Sequence, residues 1–173
     1  MAETEIDTVL AAEVETEEGE TLRMLGRVPA DQWEWRPHDK SMPLGQLAGH
    51  LATLPSMVRT IMLTERFDIM HPQAGFTRPR VPTSAAELVA AAQECFGQAR
   101  LAISRARDAD LFTPWTFAVG PRESTAPRIV ALRTYVLSHV VHHRAQLGVY
   151  FRLCGVPVPG LYGMPSADEP WDA

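Results

Sequence analysis

Lysine, cysteine and long apolar runs are scarce in this sequence, and each scarcity argues against a class of protein. Lys40 is the only lysine, the formal net charge is −5, and the arginines are scattered among acidic residues. Because a nucleic-acid-binding surface needs clustered positive charge, no nucleic-acid partner is expected. No run reaches the roughly 18 uncharged apolar residues that a membrane span requires, so no membrane partner is expected either.

The two cysteines, Cys95 and Cys154, lie far apart and form no Cys-x-x-Cys pair. Two buried, reduced thiols fit a cytosolic protein, because disulfides are rare in the cytosol; a catalytic cysteine is the minority alternative. The N-terminal segment is acidic and lacks the basic and apolar regions of a signal peptide. The sequence therefore predicts a cytoplasmic protein.

Helical periodicity covers most of the chain. Hydrophobic residues make up 46% of the 173 residues, enough for a single domain over residues 1–173 with its own core. Apolar residues recur at helical spacing in four stretches, and no stretch shows sustained strand alternation. The sequence predicts an all-α fold, a four-helix bundle, with these helices: Thr4–Val28, Pro43–Met62 with a kink at Pro55, a helix capped by Thr83 or Ser84 and ending near Arg107, and Pro127–Cys154.

Two predicted connections are long for a helical bundle, Glu65–Pro82 and Asp108–Ala126. Long connections usually cross a bundle or line a site, so at least one crossover is expected. The C-terminal tail after Gly155 is extended and proline-rich, yet it carries Leu161 and Trp171. We expect this tail to pack on the bundle.

Three histidines lie within five residues of the fourth predicted helix, in the segment SHVVHHRAQL. At about 100° per residue, His139 and His143 fall in the middle of the apolar stripe, whereas His142 is turned about 100° away from His143. Histidines four residues apart direct their rings to a common point, and this spacing lets one helix supply two metal ligands. The alternative chelating pair is His139 with His142.

Two imidazoles alone rarely hold a divalent ion well, and His50 is the natural third ligand. It shares an apolar arc of roughly 80° on the second helix with Leu47 and Leu54. His38 and His71 lie in connections and are expected to be exposed. The competing interpretation is three ordinary core histidines, but three buried imidazoles on two helices are hard to satisfy independently.

Other side chains are candidates for supporting or catalytic roles near this site. Glu17 would act as a hydrogen-bond acceptor or general base, unless it lies in solvent with the neighbouring glutamates. His142 would assist by proton transfer, and Gln146 and Tyr150 follow at one-turn intervals. Arg144 is expected to point away from the metal, toward a surface or dimer contact.

The order of these segments resembles the DinB/YfiT-like family, a group of metal-binding four-helix proteins that includes bacterial thiol-dependent S-transferases. The resemblance spans nearly the whole chain and rests on three segments: WEWRPHDKSMPLGQLAGHL, HVVHHRAQLGVYFRLCGVPVP and LYGMPSADEP. It implies that His50, His139 and His143 are the metal ligands and that the chain forms a homodimer. It also implies an up-down-down-up bundle, with the crossover in the connection Glu65–Pro82.

Three neutral imidazoles leave the charge of a divalent ion unbalanced and at least one coordination position open, as in catalytic sites. Such an ion, zinc or nickel by first choice, lowers the pKa of a bound water or thiol. We therefore predict a metal-dependent enzyme acting on a small-molecule substrate, either a thiol S-transferase with a low-molecular-weight thiol as cosubstrate or a hydrolase. The alternative is a non-catalytic, metal-stabilised helical dimer involved in a stress response or in interaction.

Overall fold

The computed structural model describes residues 6–71 and 80–169, and it is mostly helical. Thr4, where the first helix was predicted to begin, and Trp171 lie outside the described residues. The helices within these ranges are α1 (Ile6–Leu25), α2 (Leu44–Thr53), α3 (Met57–Leu63), α4 (Ala85–Ser104), α5 (Asp108–Leu111), α6 (Arg128–Leu132) and α7 (Ser138–Leu153).

The long helices enclose one apolar core. α1 packs against α4 and α7, and α2 packs against the same two helices. The predicted start of α4 is confirmed, because the Ser84 hydroxyl accepts a hydrogen bond from the Glu87 amide at 3.2 Å. No helix within the described ranges is long and apolar enough to cross a membrane. The four-helix arrangement and its up-down-down-up order stay predictions.

A three-stranded sheet lies in the two long connections, so the all-α prediction is wrong in this respect. Strands β1 (Arg66–Asp68), β2 (Pro114–Val119) and β3 (Arg122–Pro127) lie in the order β1-β2-β3, with β1 parallel and β3 antiparallel to β2. β3 is polar and mostly exposed and β1 is short, so neither shows the alternation typical of a half-buried strand. Gly120, with φ of 58°, lies in the tight turn between β2 and β3.

The second predicted helix is divided near Pro55 into α2 and α3, joined by a 3₁₀ turn. The backbone carbonyls of Trp33 and Trp35 accept hydrogen bonds from amides at the start of α2. Gly45 lets the Trp33 ring lie against the helix, since a Cβ at this position would be 2.2 Å from that ring. The residues before α2 therefore hold the helix that carries His50.

The fourth predicted helix is continuous over 128–153, but it is not uniformly α-helical. α6 passes into a π-helical turn at Arg133–Leu137, and α7 follows directly. A π turn holds more residues than an α turn, so a rotation of about 100° per residue does not carry across it. The histidines lie beyond the π turn in regular α-helix, so the predicted angles between them still apply.

The C-terminal segment packs on the helices, as predicted. Leu161 is partly buried against the core. Glu169 forms ion pairs with Arg23 and Arg27, at and just beyond the end of α1. It also accepts a hydrogen bond from the Gly160 amide at 3.1 Å. These contacts attach the segment to α1.

Candidate metal centre

The structure brings His50, His139 and His143 together between α2 and α7. One ring nitrogen of each lies within 4.8 Å of those of the other two. The ring centroids of His139 and His143 are 4.6 Å apart. The ring centroid of His50 lies 5.2 Å from that of His139 and 4.7 Å from that of His143. His143 is buried and the other two are half-buried, so the site lies at the margin of the core.

A hydrogen bond behind the His143 ring leaves its inner nitrogen for a cation. His143 Nδ1 lies 2.8 Å from Gln146 Oε1, and since an amide oxygen only accepts, Nδ1 carries the proton. The Nε2 atoms of His139 and His143 face one another at 2.8 Å. Two neutral lone pairs repel at this distance, so a proton or a cation belongs between them.

Burial keeps the three imidazoles neutral. Burial, together with the charges of His143 and His139, lowers the pKa of His50 to about 4. Burial also lowers the pKa of His139 and the pKa of His143, although the hydrogen bond with Gln146 opposes the shift at His143. A neutral imidazole is the form that binds metal, so the site is competent at neutral pH.

The donor set fits a divalent transition metal. In a tetrahedral zinc site, metal–nitrogen distances of about 2.0–2.1 Å separate the ligand nitrogens by about 3.3 Å. The inner nitrogens of His139 and His143 would therefore need to separate by only about 0.5 Å to hold the ion. Within residues 6–71 and 80–169, no carboxylate, thiol or fourth histidine belongs to this group. The described residues thus leave a coordination position open.

The other histidine of the cluster, His142, lies outside the group of three. It is exposed, and its ring centroid is 5.0 Å from that of His143. The pair four residues apart, His139 and His143, is the one that joins His50, as the helical projection predicted. His38 and His71 are exposed, also as predicted.

Gln146 and Tyr150 have separate roles. Gln146 orients the His143 ring through the hydrogen bond at Nδ1, the usual way in which a second residue sets the tautomer of a metal-binding histidine. The Tyr150 hydroxyl donates to the backbone carbonyl of Met42 at 3.1 Å, and its ring packs edge-on against Trp35. These contacts assign Tyr150 to the core.

Arg144 is buried, so the prediction that it makes a surface or dimer contact is wrong. Its side chain is 2% exposed and forms an ion pair of 2.6 Å with Glu17. Glu17 is itself buried, which overturns the solvent alternative, and its carboxylate binds Arg144 and Tyr162. A projection of one helix missed this pair because α7 is covered on two sides, by α2 and by α1.

Neither cysteine offers a reactive thiol. Cys95 is buried, and burial, with the charge of Glu94, raises its pKa to about 11. Burial also raises the pKa of Cys154, which is half-buried. A thiolate is the nucleophilic form, so the raised pKa values argue against the minority alternative of a catalytic cysteine.

Comparison with known proteins agrees with this architecture. A DinB-like protein of Bacillus cereus, known from a crystal structure, is 25% identical over 91% of this chain and 98% of its own, with a TM-score of 0.68. The fold is shared with a DinB-like protein of Bacillus subtilis, at 14% identity over 93% of this chain and 99% of its own and a TM-score of 0.67. No curated protein matches the sequence. The family model of the DinB superfamily matches residues 13–147, a range that includes all three histidines, and the chain belongs to that superfamily.

Proposed function

We propose that the protein binds a divalent transition metal, zinc or nickel, through His50, His139 and His143, and that the site activates a small-molecule thiol for S-transfer. The observation that carries the proposal is the group of three ring nitrogens within 4.8 Å of one another, in which the Nε2 atoms of His139 and His143 are 2.8 Å apart and Gln146 orients the His143 ring. An N–H···N hydrogen bond would account for the contact between His139 and His143, but it gives no reason for a third ring nitrogen, that of His50, within 4.8 Å of both.

The charge of the site favours an anionic ligand. All three donors are neutral, so the full double charge of the ion remains to attract a thiolate or hydroxide. A bound divalent ion supplies the acidity, because it lowers the pKa of a thiol or water in the open position to near neutrality. The protein supplies three fixed ring nitrogens and a half-buried setting with reduced screening.

Thiol transfer is supported better than hydrolysis by the side chains around the site. A thiolate attacks an electrophilic carbon without a general base, forming the S–C bond as the leaving group departs with its electron pair, and the thiol proton passes to solvent. Water activation gains from a positioned base. Glu17 is engaged by Arg144, and the Tyr150 hydroxyl by Met42. His142, exposed and with its ring centroid 5.0 Å from that of His143, is the candidate base that remains, so hydrolysis assisted by His142 is the second candidate.

The rival proposal is a non-catalytic dimer in which the metal only holds helices together. Structural metal sites are usually closed by four protein ligands, whereas the described residues supply three. The homodimer and the cytoplasmic location predicted above remain part of our proposal, and sedimentation of the purified chain tests the dimer.

Elemental analysis of tag-free protein tests metal binding directly. We expect about one transition-metal ion per chain in the parent and almost none in the His139→Ala, His143→Ala double variant. Exposed His38→Ala serves as the matched control and should keep the ion. Absence of metal in the parent after loading with zinc and with nickel would refute the proposal.

Cobalt-substituted protein then separates the two reactions. Titration with low-molecular-weight thiols should produce a sulfur-to-cobalt charge-transfer band in the parent. A site that binds cobalt but gives no band with any thiol would leave hydrolysis as the function. A spectrum typical of four protein ligands, unchanged by thiols, would favour the structural dimer.

A further inference from the structure

A polar cluster joins α1, α7 and the C-terminal segment: Glu17, Thr21 and Arg144 are buried, and Tyr162 covers them from an exposed position. Arg144 Nη2 donates to Glu17 Oε2 at 2.6 Å, and its Nη1 donates to the Glu17 carbonyl at 3.2 Å and to Thr21 Oγ1 at 3.1 Å. The Tyr162 hydroxyl accepts from Arg144 and donates to the Glu17 carboxylate at 3.1 Å. The Tyr162 ring lies 5.1 Å from the guanidinium carbon. The guanidinium thereby links α7, on which it lies, to α1 and to the C-terminal segment.

This cluster holds the turn of α7 that carries a candidate ligand. Arg144 directly follows His143, and successive side chains on a helix point about 100° apart. His143 therefore faces α2 while Arg144 faces α1. The guanidinium is a planar fork with donors in fixed directions, so its contacts restrict rotation of this turn about the helix axis.

The backbone of Tyr162 adopts a left-handed conformation, which is unfavourable for a bulky residue and therefore has to be stabilised by its contacts. Within the described ranges, Tyr162 is the one non-glycine residue with positive φ, at 57°. A bulky residue rarely adopts this conformation, and it persists only where the surroundings hold it. Its amide donates to Glu20 Oε1 at 2.9 Å, which fixes the residue with its hydroxyl on the ion pair.

We propose that Tyr162 is a positioning residue for the metal centre: its hydroxyl fixes the Glu17–Arg144 pair, and Arg144 in turn fixes the orientation of His143. The C-terminal segment is then a part of the site, although it supplies no ligand. This inference rests on the proposed function, because the orientation of His143 matters for a bound ion.

The test compares two variants that each remove one attachment of the C-terminal segment. Tyr162→Phe keeps the ring over the guanidinium and loses the hydroxyl. Arg27→Gln removes the ion pair with Glu169 and the hydrogen bond to the Pro157 carbonyl, leaving the contacts of α7 unchanged. Zinc affinity is measured on full-length, tag-free protein by competition with a chromophoric chelator. In zinc-free protein, nuclear Overhauser effects between the ring protons of His50 and His143, whose centroids are 4.7 Å apart, report how this turn of α7 faces α2.

We expect Tyr162→Phe to weaken zinc binding about tenfold, the lower end of the effect of residues that support metal ligands. Its Overhauser effects between the rings of His50 and His143 should weaken, and Arg27→Gln should match the parent in both measurements. Parental affinity and parental ring contacts in Tyr162→Phe would overturn the inference, and so would equal losses in both variants. A parent that binds neither zinc nor nickel would refute the proposed function, whereas the ring contacts would still decide whether Tyr162 orients His143.

Discussion

Gln146 Oε1 accepts a hydrogen bond from His143 Nδ1 at 2.8 Å, and this contact sets which nitrogen of the ring faces the centre of the site. Gln146→Leu removes the acceptor and leaves the ring free to turn. We expect metal affinity to fall about 10- to 100-fold, as is usual when the partner of a metal-binding histidine is lost. Isothermal titration with zinc measures the change. Gln93→Leu, an exposed glutamine on α4, is the control, and equal affinity in both variants would contradict the assignment.

Acid should destabilise the metal-free protein through His50. Its pKa is about 4 in the folded protein against an ordinary value of 6.5, so between these values the unfolded chain binds a proton that the folded chain does not. The free energy of unfolding therefore falls as the pH is lowered through this window, and this contribution is fully present above 6.5. Urea unfolding in the presence of a chelator at pH 7 and pH 5 measures the slope. His50→Gln should show a smaller loss than the parent, whereas His38→Gln, at an exposed site, should lose as much as the parent does.

Removing one partner of the buried ion pair should be costly. Glu17→Leu leaves the Arg144 charge buried without its carboxylate, and we expect the free energy of unfolding to fall by about 3–5 kcal/mol. Urea denaturation of the variant and the parent measures this change in the free energy of unfolding. The Glu17→Leu, Arg144→Met double variant should regain most of the loss, because it removes both charges. A double variant as unstable as the single one would show that packing, not the unpaired charge, determines the cost.

Chelation should leave the fold intact. The core shared by α1, α2, α4 and α7 is apolar and buried without any contribution from an ion, so far-UV circular dichroism should be unchanged after treatment with a chelator. Zinc at a hundredfold excess over its dissociation constant should add about 2.7 kcal/mol to stability. Loss of helix on chelation would contradict this prediction and favour the structural dimer.

Histidine spacing was enough to predict which side chains meet, because His139 and His143 lie on one α-helical face and His50 on the apolar face of another helix. The sheet was not predictable from the same patterns. β3 is exposed on nearly every residue, so its sequence carries no burial alternation. Arg144 was assigned to the surface because the periodicity of one helix does not reveal how many neighbours cover it. Its partner Glu17, an acid on the apolar arc of α1, was the signal that a pair was buried there.

The small sheet has a consequence for how the ligand-bearing helices can separate. β1 follows α3, which continues the chain from the His50-bearing helix α2, and the β2–β3 hairpin directly precedes α6, which continues into α7. The parallel hydrogen bonds between β1 and β2 tie these ends together, and Arg128 adds bonds to the carbonyls of Ile61 and Thr64 at 2.9 and 3.0 Å. These contacts fix the two ligand-bearing segments to one another at this end of the fold. The separation between His50 and the pair on α7 is therefore constrained by the sheet as well as by the packing of α2 against α7.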